Sequence, residues 1–260
     1  MHWWQFREPF SAWTHASWFL LSIPATIILW RRSAAQPAQR LTLMVFGVSL
    51  AACALASTLF HGVNVGPDDL HLYDRLDHVG IHLLIAGTYT PLAWNLLRGR
   101  WRWGTLGLVW SMTTVASVLL LAKIKLPTPL ATAEYLALGW GALFCYVEIA
   151  RILPHRVLRP LVLGGVFYSV GAVLNLLQWP EPWPGVIDAH GVFHLWVIAG
   201  SWAHIWFMLS VVIPFAHPAE CTGAPQAMGR SPQASNWSAH RSTDRAGHTY
   251  TSPLAPAHPS

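Results

Sequence analysis

The chain has 260 residues, of which 53% are hydrophobic, only 10% are charged and 16 are tryptophans. A soluble globular domain averages about 25% charged residues, so this composition argues against a soluble enzyme and indicates an integral membrane protein. The formal net charge of +5 comes mostly from short basic clusters between apolar runs, and basic residues in such places anchor a protein to lipid headgroups rather than form a nucleic-acid surface.

Seven apolar runs follow one another along the chain, and each approaches the length of about 20 residues that a helix needs to cross a bilayer. They lie near residues 13–30, 41–61, 78–97, 104–122, 131–150, 159–178 and 191–214. Because the loops between them are short, we predict an all-α membrane protein with a seven-transmembrane-helix bundle over residues 1–215. Residues 216–260 are rich in proline, serine, alanine and glycine. Such a segment buries too little apolar surface to fold, so we predict a disordered C-terminal tail.

Polar residues stand at the ends of three of these runs, where their neighbours are apolar. Ser57 and His61 close the second run, Asp77 opens the third, and His190 and His194 open the last. Imidazole and carboxylate groups are costly inside hydrocarbon, and those that occur there usually face the interior of the bundle. The pattern therefore predicts a functional site built from these residues.

The count of spans indicates that these residues can meet. With seven spans, the end of span two and the starts of spans three and seven lie on the same side of the membrane. His190 and His194 are spaced i, i+4, which puts both on one face of a helix beside His61. Three histidines with an open fourth position are the ligand pattern of a catalytic zinc, which lowers the pKa of its water toward about 7. The carboxylate of Asp77 would help to neutralise the charge of such a site.

Spacing alone leaves other interpretations open. The three histidines could hydrogen-bond between helices without a metal. Asp77 could pair with Arg75, and Ser57 could bond back to its own helix, as membrane serines often do. His78 and His82 form a second i, i+4 pair directly after Asp77, and spacing cannot exclude them as ligands.

The polar pattern resembles the hemolysin III / progestin and adipoQ receptor (PAQR) family, and in particular its bacterial hemolysin III branch. The motifs that carry the resemblance are Ser57-x3-His61, Leu76-Asp77 and His190-x3-His194. Further matches lie before and within the spans: Glu8, Thr14-His15, residues 87–91, residues 164–172, and His204. Together they cover roughly residues 7–215 in family order. The chain departs from the family at Asn175, where relatives often carry an aromatic residue.

The resemblance implies a seven-helix membrane fold in which zinc is held by His61, His190 and His194. It also implies that Asp77 and Ser57 lie beside the metal-bound water. His15 and His204 match recurring family positions, and we assign them structural roles. A bacterial member of this family is expected in the inner (plasma) membrane as a multi-pass protein.

From the residues and the resemblance together we predict a zinc-dependent membrane hydrolase acting on a lipid amide or ester. The related zinc-dependent membrane proteins include the alkaline ceramidases, which cleave the amide of a membrane lipid. The expected partners are therefore membrane lipids, including a lipid substrate, and not nucleic acid. One alternative is a non-catalytic membrane sensor in which zinc is structural. The least favoured alternative is a pore-forming hemolysin, because no amphipathic pore-lining helix is evident.

The charges of the loops predict an orientation. Loops 31–40, 98–103 and 151–159 carry three basic residues each, all arginines, whereas the loops on the zinc side carry few basic residues and include several acidic ones. The positive-inside rule places the zinc side outside and the tail in the cytoplasm. The resemblance to the animal receptors of the family implies the opposite arrangement, and we take the orientation that the loop charges give.

Overall fold

The computed structural model describes residues 6–33, 35–124 and 126–215, and the predicted tail over 216–260 lies outside these described residues. The described chain is helical, with short connections. Its α-helices are α1 Pro9–Arg32, α2 Pro37–Gly62, α3 Pro67–Leu96, α4 Gly99–Leu121, α5 Thr128–Trp140, α6 Ala142–Ile149, α7 Arg159–Leu176 and α8 Ala189–Phe207.

These helices form seven successive segments, because α5 and α6 are two parts of one segment. They meet at Gly141 and together cover Thr128–Ile149. A 3-10 turn, His155–Leu158, precedes α7, and a π-helical turn, Met208–Val212, follows α8. Six of the segments are long and apolar enough to cross a membrane by length and composition. The prediction of an all-α, multi-pass membrane protein with seven helical segments is confirmed.

The remaining segment, α3, is long but more polar. It begins at Pro67, well before the apolar run that starts at residue 78, and it has 30 residues. A proline in the first turn and the carboxylates of Asp68 and Asp69 both favour a helix start at this point. Polar residues further along, such as His78 and His82, lower the hydropathy of the rest. The third helix therefore extends beyond its predicted apolar run toward the side where α2 ends.

Burial identifies the centre of the bundle. In the α2 and α8 segments, 44% and 50% of the most apolar stretch is buried, against 11% in the segment formed by α5 and α6. Phe46 on α2 and Phe207 on α8 are completely buried. Large apolar side chains such as Leu20 and Phe144 are instead exposed at the outer surface. Exposed apolar surface on this scale fits a helix bundle in contact with lipid.

Candidate metal centre

Three histidine side chains converge at one end of the bundle. His61 lies in the last turn of α2, and His190 and His194 lie in the first two turns of α8. Nε2 of His190 is 3.3 Å from Nε2 of His61 and 3.1 Å from Nε2 of His194. One ligand atom from each ring lies within 4.8 Å of the other two. The structure thus brings together the three residues that the sequence nominates.

The local sequence explains why α8 begins where it does. The side chain of Asp188 accepts a hydrogen bond of 2.8 Å from the backbone N–H of Gly191, which caps the first turn. Gly191 also allows α1 to approach, because a Cβ there would lie 2.7 Å from the ring of Phe10. This start places His190 in the capped turn and His194 one turn later on the same face.

Hydrogen bonds at the outer edges orient two of the three rings. Nδ1 of His61 donates to Oε2 of Glu8 at 2.5 Å, and Nδ1 of His190 donates to Oδ1 of Asn175 at 3.2 Å. A neutral imidazole with its proton on Nδ1 offers the lone pair of Nε2. Both lone pairs are therefore available on the side where Nε2 of His194 lies, and outer partners of this kind are typical of metal-binding histidines. The three histidines form a group that can hold a metal ion.

The segment before α1 anchors Glu8 against the end of α2. The backbone N–H of Glu8 donates to the carbonyl of His61 at 3.0 Å. Arg7 contacts the Glu8 carboxylate and donates to the carbonyl of Phe60 at 2.8 Å. The hydrogen bond from His61 lowers the pKa of Glu8 below its ordinary value, and this outweighs the opposite effect of partial burial. Glu8 is therefore an ionised acceptor at neutral pH.

Asp77 and Ser57 lie beside the histidines but outside the group of ligand atoms. Both are buried, with 8% of Asp77 and 2% of Ser57 exposed, and the hydroxyl of Ser57 lies near enough to interact with the carboxylate of Asp77. Both line the same cavity as His190 and His194. Asp77 also interacts electrostatically with His61. The structure therefore places the predicted carboxylate and hydroxyl next to the histidine group.

The second histidine pair on α3 has other partners. Nδ1 of His78 lies 3.5 Å from a carboxylate oxygen of Asp74. Nε2 of His82 lies 3.1 and 3.2 Å from the two carboxylate oxygens of Glu134 on α5. Neither ring belongs to the metal-ligand group found among the described residues. His78 lines the same cavity as His190 and His194, but its ring nitrogens and those of His82 have the partners given above instead of the ligand atoms of the other three histidines.

Sequence reasoning missed the residues around the ligands. It used Glu8 only as a family match and gave no role to Asn175, which the structure places against His61 and His190. It assigned His15 a structural role, and the structure packs that ring edge-on against His194, with centroids 4.1 Å apart, in the wall of the cavity. The count of spans offered a signal for Glu8, because a carboxylate just before span one lies on the same side as His61.

The histidine group opens onto a large internal cavity. Its volume is about 700 Å³, and most of the side chains that line it are apolar. His190, His194, Asp77 and Ser57 lie at one end, and the lining continues along α8 as far as His204. A polar group that could hold a metal therefore lies at one end of a cavity whose lining is mostly apolar.

Comparison with known proteins identifies the family. The model of the haemolysin-III-related family matches residues 3–205. The chain is 32% identical to hemolysin-3 of Bacillus cereus over 212 residues, which cover 81% of this chain and 94% of the relative. It is 31% identical to a hemolysin-3 homolog of Bacillus subtilis (strain 168), covering 80% and 97% of the two chains. It is 23% identical to the adiponectin receptor protein of Drosophila melanogaster, covering 83% and 53%. The chain belongs to the haemolysin-III-related family of integral membrane proteins, with relatives among the adiponectin receptors.

Proposed function

We propose that the protein is a zinc-dependent hydrolase that cleaves an amide or ester bond of a membrane lipid. The observation that carries the proposal is that the possible metal ligands and two other polar side chains line the same cavity. Two of the three histidines, His190 and His194, line it together with Asp77 and Ser57. A metal-ligand group, a carboxylate that can move protons and a chamber for an apolar chain are the parts that this reaction needs.

The donor set fits zinc. Imidazole nitrogen is a common zinc ligand, and catalytic zinc sites typically use three protein ligands with one position free. Among the residues that the structure describes, no fourth histidine, cysteine or carboxylate joins the group. Zinc held by His61, His190 and His194 would supply Lewis acidity, which polarises a carbonyl and lowers the pKa of a water molecule.

Asp77 is the group that would move protons. Its carboxylate would accept a proton from the attacking water and deliver it to the leaving nitrogen or oxygen. Ser57 lies one helical turn before His61 on α2, and its hydroxyl interacts with the carboxylate of Asp77. In this proposal Ser57 would act by orienting the carboxylate of Asp77 toward the cavity.

The cavity favours a substrate with a long apolar part. Its volume of about 700 Å³ lies within the range of about 300–1,000 Å³ that is usual for ligand pockets. An apolar lining stabilises an acyl chain and keeps bulk water away from the reacting bond. Because the outer surface of the bundle contacts lipid, the substrate would enter sideways from the bilayer.

Metal analysis of the purified protein tests the zinc site. We expect stoichiometric zinc in the wild type and its loss in His190→Ala and His61→Ala, because each substitution removes one ligand. His78→Ala is the matched control, since it removes an imidazole from the same end of the bundle without touching the ligand group. A wild-type protein purified without metal would contradict the zinc assignment.

Turnover of ceramide and of a fatty-acyl ester tests the hydrolase. We expect Asp77→Asn to retain zinc and to lose activity by a factor of about 10²–10⁴, the usual contribution of general acid–base catalysis. Zinc without turnover of either lipid would favour the sensor alternative, in which the ion ties α2 to α8. That alternative draws on the same geometry, because the ligands come from both helices.

A further inference from the structure

The cavity contains a second group of polar side chains, well away from the histidine group. His204 on α8, Tyr168 on α7 and Cys53 on α2 all line it. All three are at least partly buried, and His204 and Cys53 are each 5% exposed. We call these three residues the inner polar belt. The proposed hydrolysis assigns no task to any of them.

Helix geometry places the belt at one depth. An α-helix rises 1.5 Å per residue, so His204 lies about 15 Å along α8 from His194, and Cys53 lies about 12 Å along α2 from His61. The two helices run in opposite directions from the histidine end, since α2 ends at that end and α8 begins there. Two separate helices thus bring polar atoms to a similar distance from the proposed zinc.

The hydrogen bond of His204 determines which ring nitrogen is left for the cavity. Nδ1 lies 3.0 Å from the carbonyl oxygen of Gly200, one turn earlier on α8. A carbonyl can only accept, so Nδ1 carries the proton, and a neutral imidazole then offers its lone pair at Nε2. Gly200 is the hydrogen-bond partner that the described residues provide for this ring. His204 therefore brings an acceptor, Nε2, to the wall of the cavity.

The ring is held rigidly in this position. It stacks on Tyr168, with centroids 5.4 Å apart and an interplanar angle of 18°. The backbone of α7 also lies close to the ring, because a Cβ on Gly164 would lie 2.4 Å from it. The hydroxyl of Tyr168 is in turn hydrogen-bonded to Ser201 at 2.9 Å. An acceptor fixed by packing loses little entropy when it forms a hydrogen bond, which suits a binding group.

We propose that the inner polar belt recognises a hydroxyl group carried in the middle of an acyl chain. The hydroxyl donates to Nε2 of His204, while the carbonyl end of the same chain lies at the histidine group. The inference rests on the proposed function only in taking this cavity as the place of the acyl chain. It assigns the protein a preference for hydroxylated over plain lipid chains.

A purely structural role explains less of the geometry. A phenylalanine would fill the same space between Gly164 and Tyr168 without bringing polar atoms into the cavity. Gly200 satisfies one of the two ring nitrogens of His204, and the other, in the wall of a cavity, can accept a hydrogen bond from a group that enters it. A ligand hydroxyl would satisfy the other.

Binding measurements on the full-length protein in lipid nanodiscs test the proposal without any turnover. The probes are hexadecanoic acid and three analogues, hydroxylated next to the carboxylate, in the middle of the chain and at its last carbon. Each displaces a fluorescent polyene fatty acid. We expect the mid-chain analogue to bind about five- to tenfold more tightly than the plain acid, as one neutral hydrogen bond allows.

Two variants separate recognition from packing. His204→Asn keeps a donor for Gly200 and removes Nε2, and His204→Phe keeps the ring and removes both nitrogens. In both variants the mid-chain analogue should bind no more tightly than hexadecanoic acid does in the same variant. Trp206→Phe, on the exposed side of the same helix, should keep that gain. If no analogue gains over the plain acid in the wild type, or if the gain survives in both variants, the proposal is wrong. A protein that hydrolyses no lipid but still binds the mid-chain hydroxylated acid more tightly would contradict the proposed hydrolase and leave this inference standing.

Discussion

Glu8 holds the ring of His61 through an ionised carboxylate, although it is not itself one of the proposed ligands. Outer partners of metal-binding histidines typically contribute 10–100-fold to metal affinity. We therefore expect Glu8→Gln to weaken zinc binding by about that factor, as measured by competition with a chelator. The loss comes from a weaker acceptor, which makes the Nε2 lone pair of His61 a poorer ligand.

Glu148→Gln is the control for the zinc-affinity measurement on Glu8→Gln. Glu148 also pairs with an arginine, Arg151, at 2.7 Å, but it lies on α6 away from the histidines. Its substitution should leave zinc affinity unchanged. Equal affinity in Glu8→Gln and the wild type would show that the hydrogen bond to His61 does not tune the site.

At the scale of elements, α7 and α8 approach each other through glycines that face aromatic rings. A Cβ on Gly164 would lie 2.4 Å from His204, and a Cβ on Gly200 would lie 2.6 Å from Tyr168. The neighbouring Gly165 has no atom within 4 Å of its Cβ position. We expect Gly164→Ala to destabilise the protein by about 1–3 kcal/mol, the usual cost of overpacking. Gly165→Ala should be neutral or slightly stabilising, because alanine favours a helix.

Unfolding of the two variants in mixed detergent micelles checks this prediction. The comparison is well matched, since the substitutions are identical and adjacent on α7. If both variants unfold at the same point as the wild type, the interface between α7 and α8 accommodates an extra methyl group and the predicted clash is wrong.

At the scale of the whole molecule, charge is distributed unequally between the two ends of the bundle. The end opposite the histidines carries arginine clusters at residues 31–32, 98–102 and 151–159, and the histidine end carries acidic residues such as Asp68, Asp69 and Asp188. The positive-inside rule then places the histidine end outside the cytoplasm. A reporter fused after residue 215 should therefore fluoresce as green fluorescent protein and be inactive as alkaline phosphatase. Phosphatase activity there would reverse the orientation.

The sequence was sufficient for the helices and for the ligand candidates. Hydropathy located the apolar segments, and the four spans between His61 and His190, an even number, put both residues on one side. The sequence could not show which pair supplies metal ligands, His190 and His194 or His78 and His82. Equal spacing does not reveal which way a ring points. The sequence also could not find Asn175, whose contact with His190 depends on how closely α7 and α8 pack. Contacts of this kind arise from tertiary packing and leave no periodic pattern.

The histidine group brings together residues that the ribosome synthesises at very different times. His61 and His190 are separated by 129 positions along the chain, and domains form in the order in which the ribosome delivers their parts. The first proposed ligand, at the end of the second segment, is therefore in the membrane while five further helical segments are still to be synthesised. A metal could be held by all three imidazoles only after the seventh segment has inserted, so its loading would report that the whole bundle is in place. A chain that stops early leaves His61 without its partners.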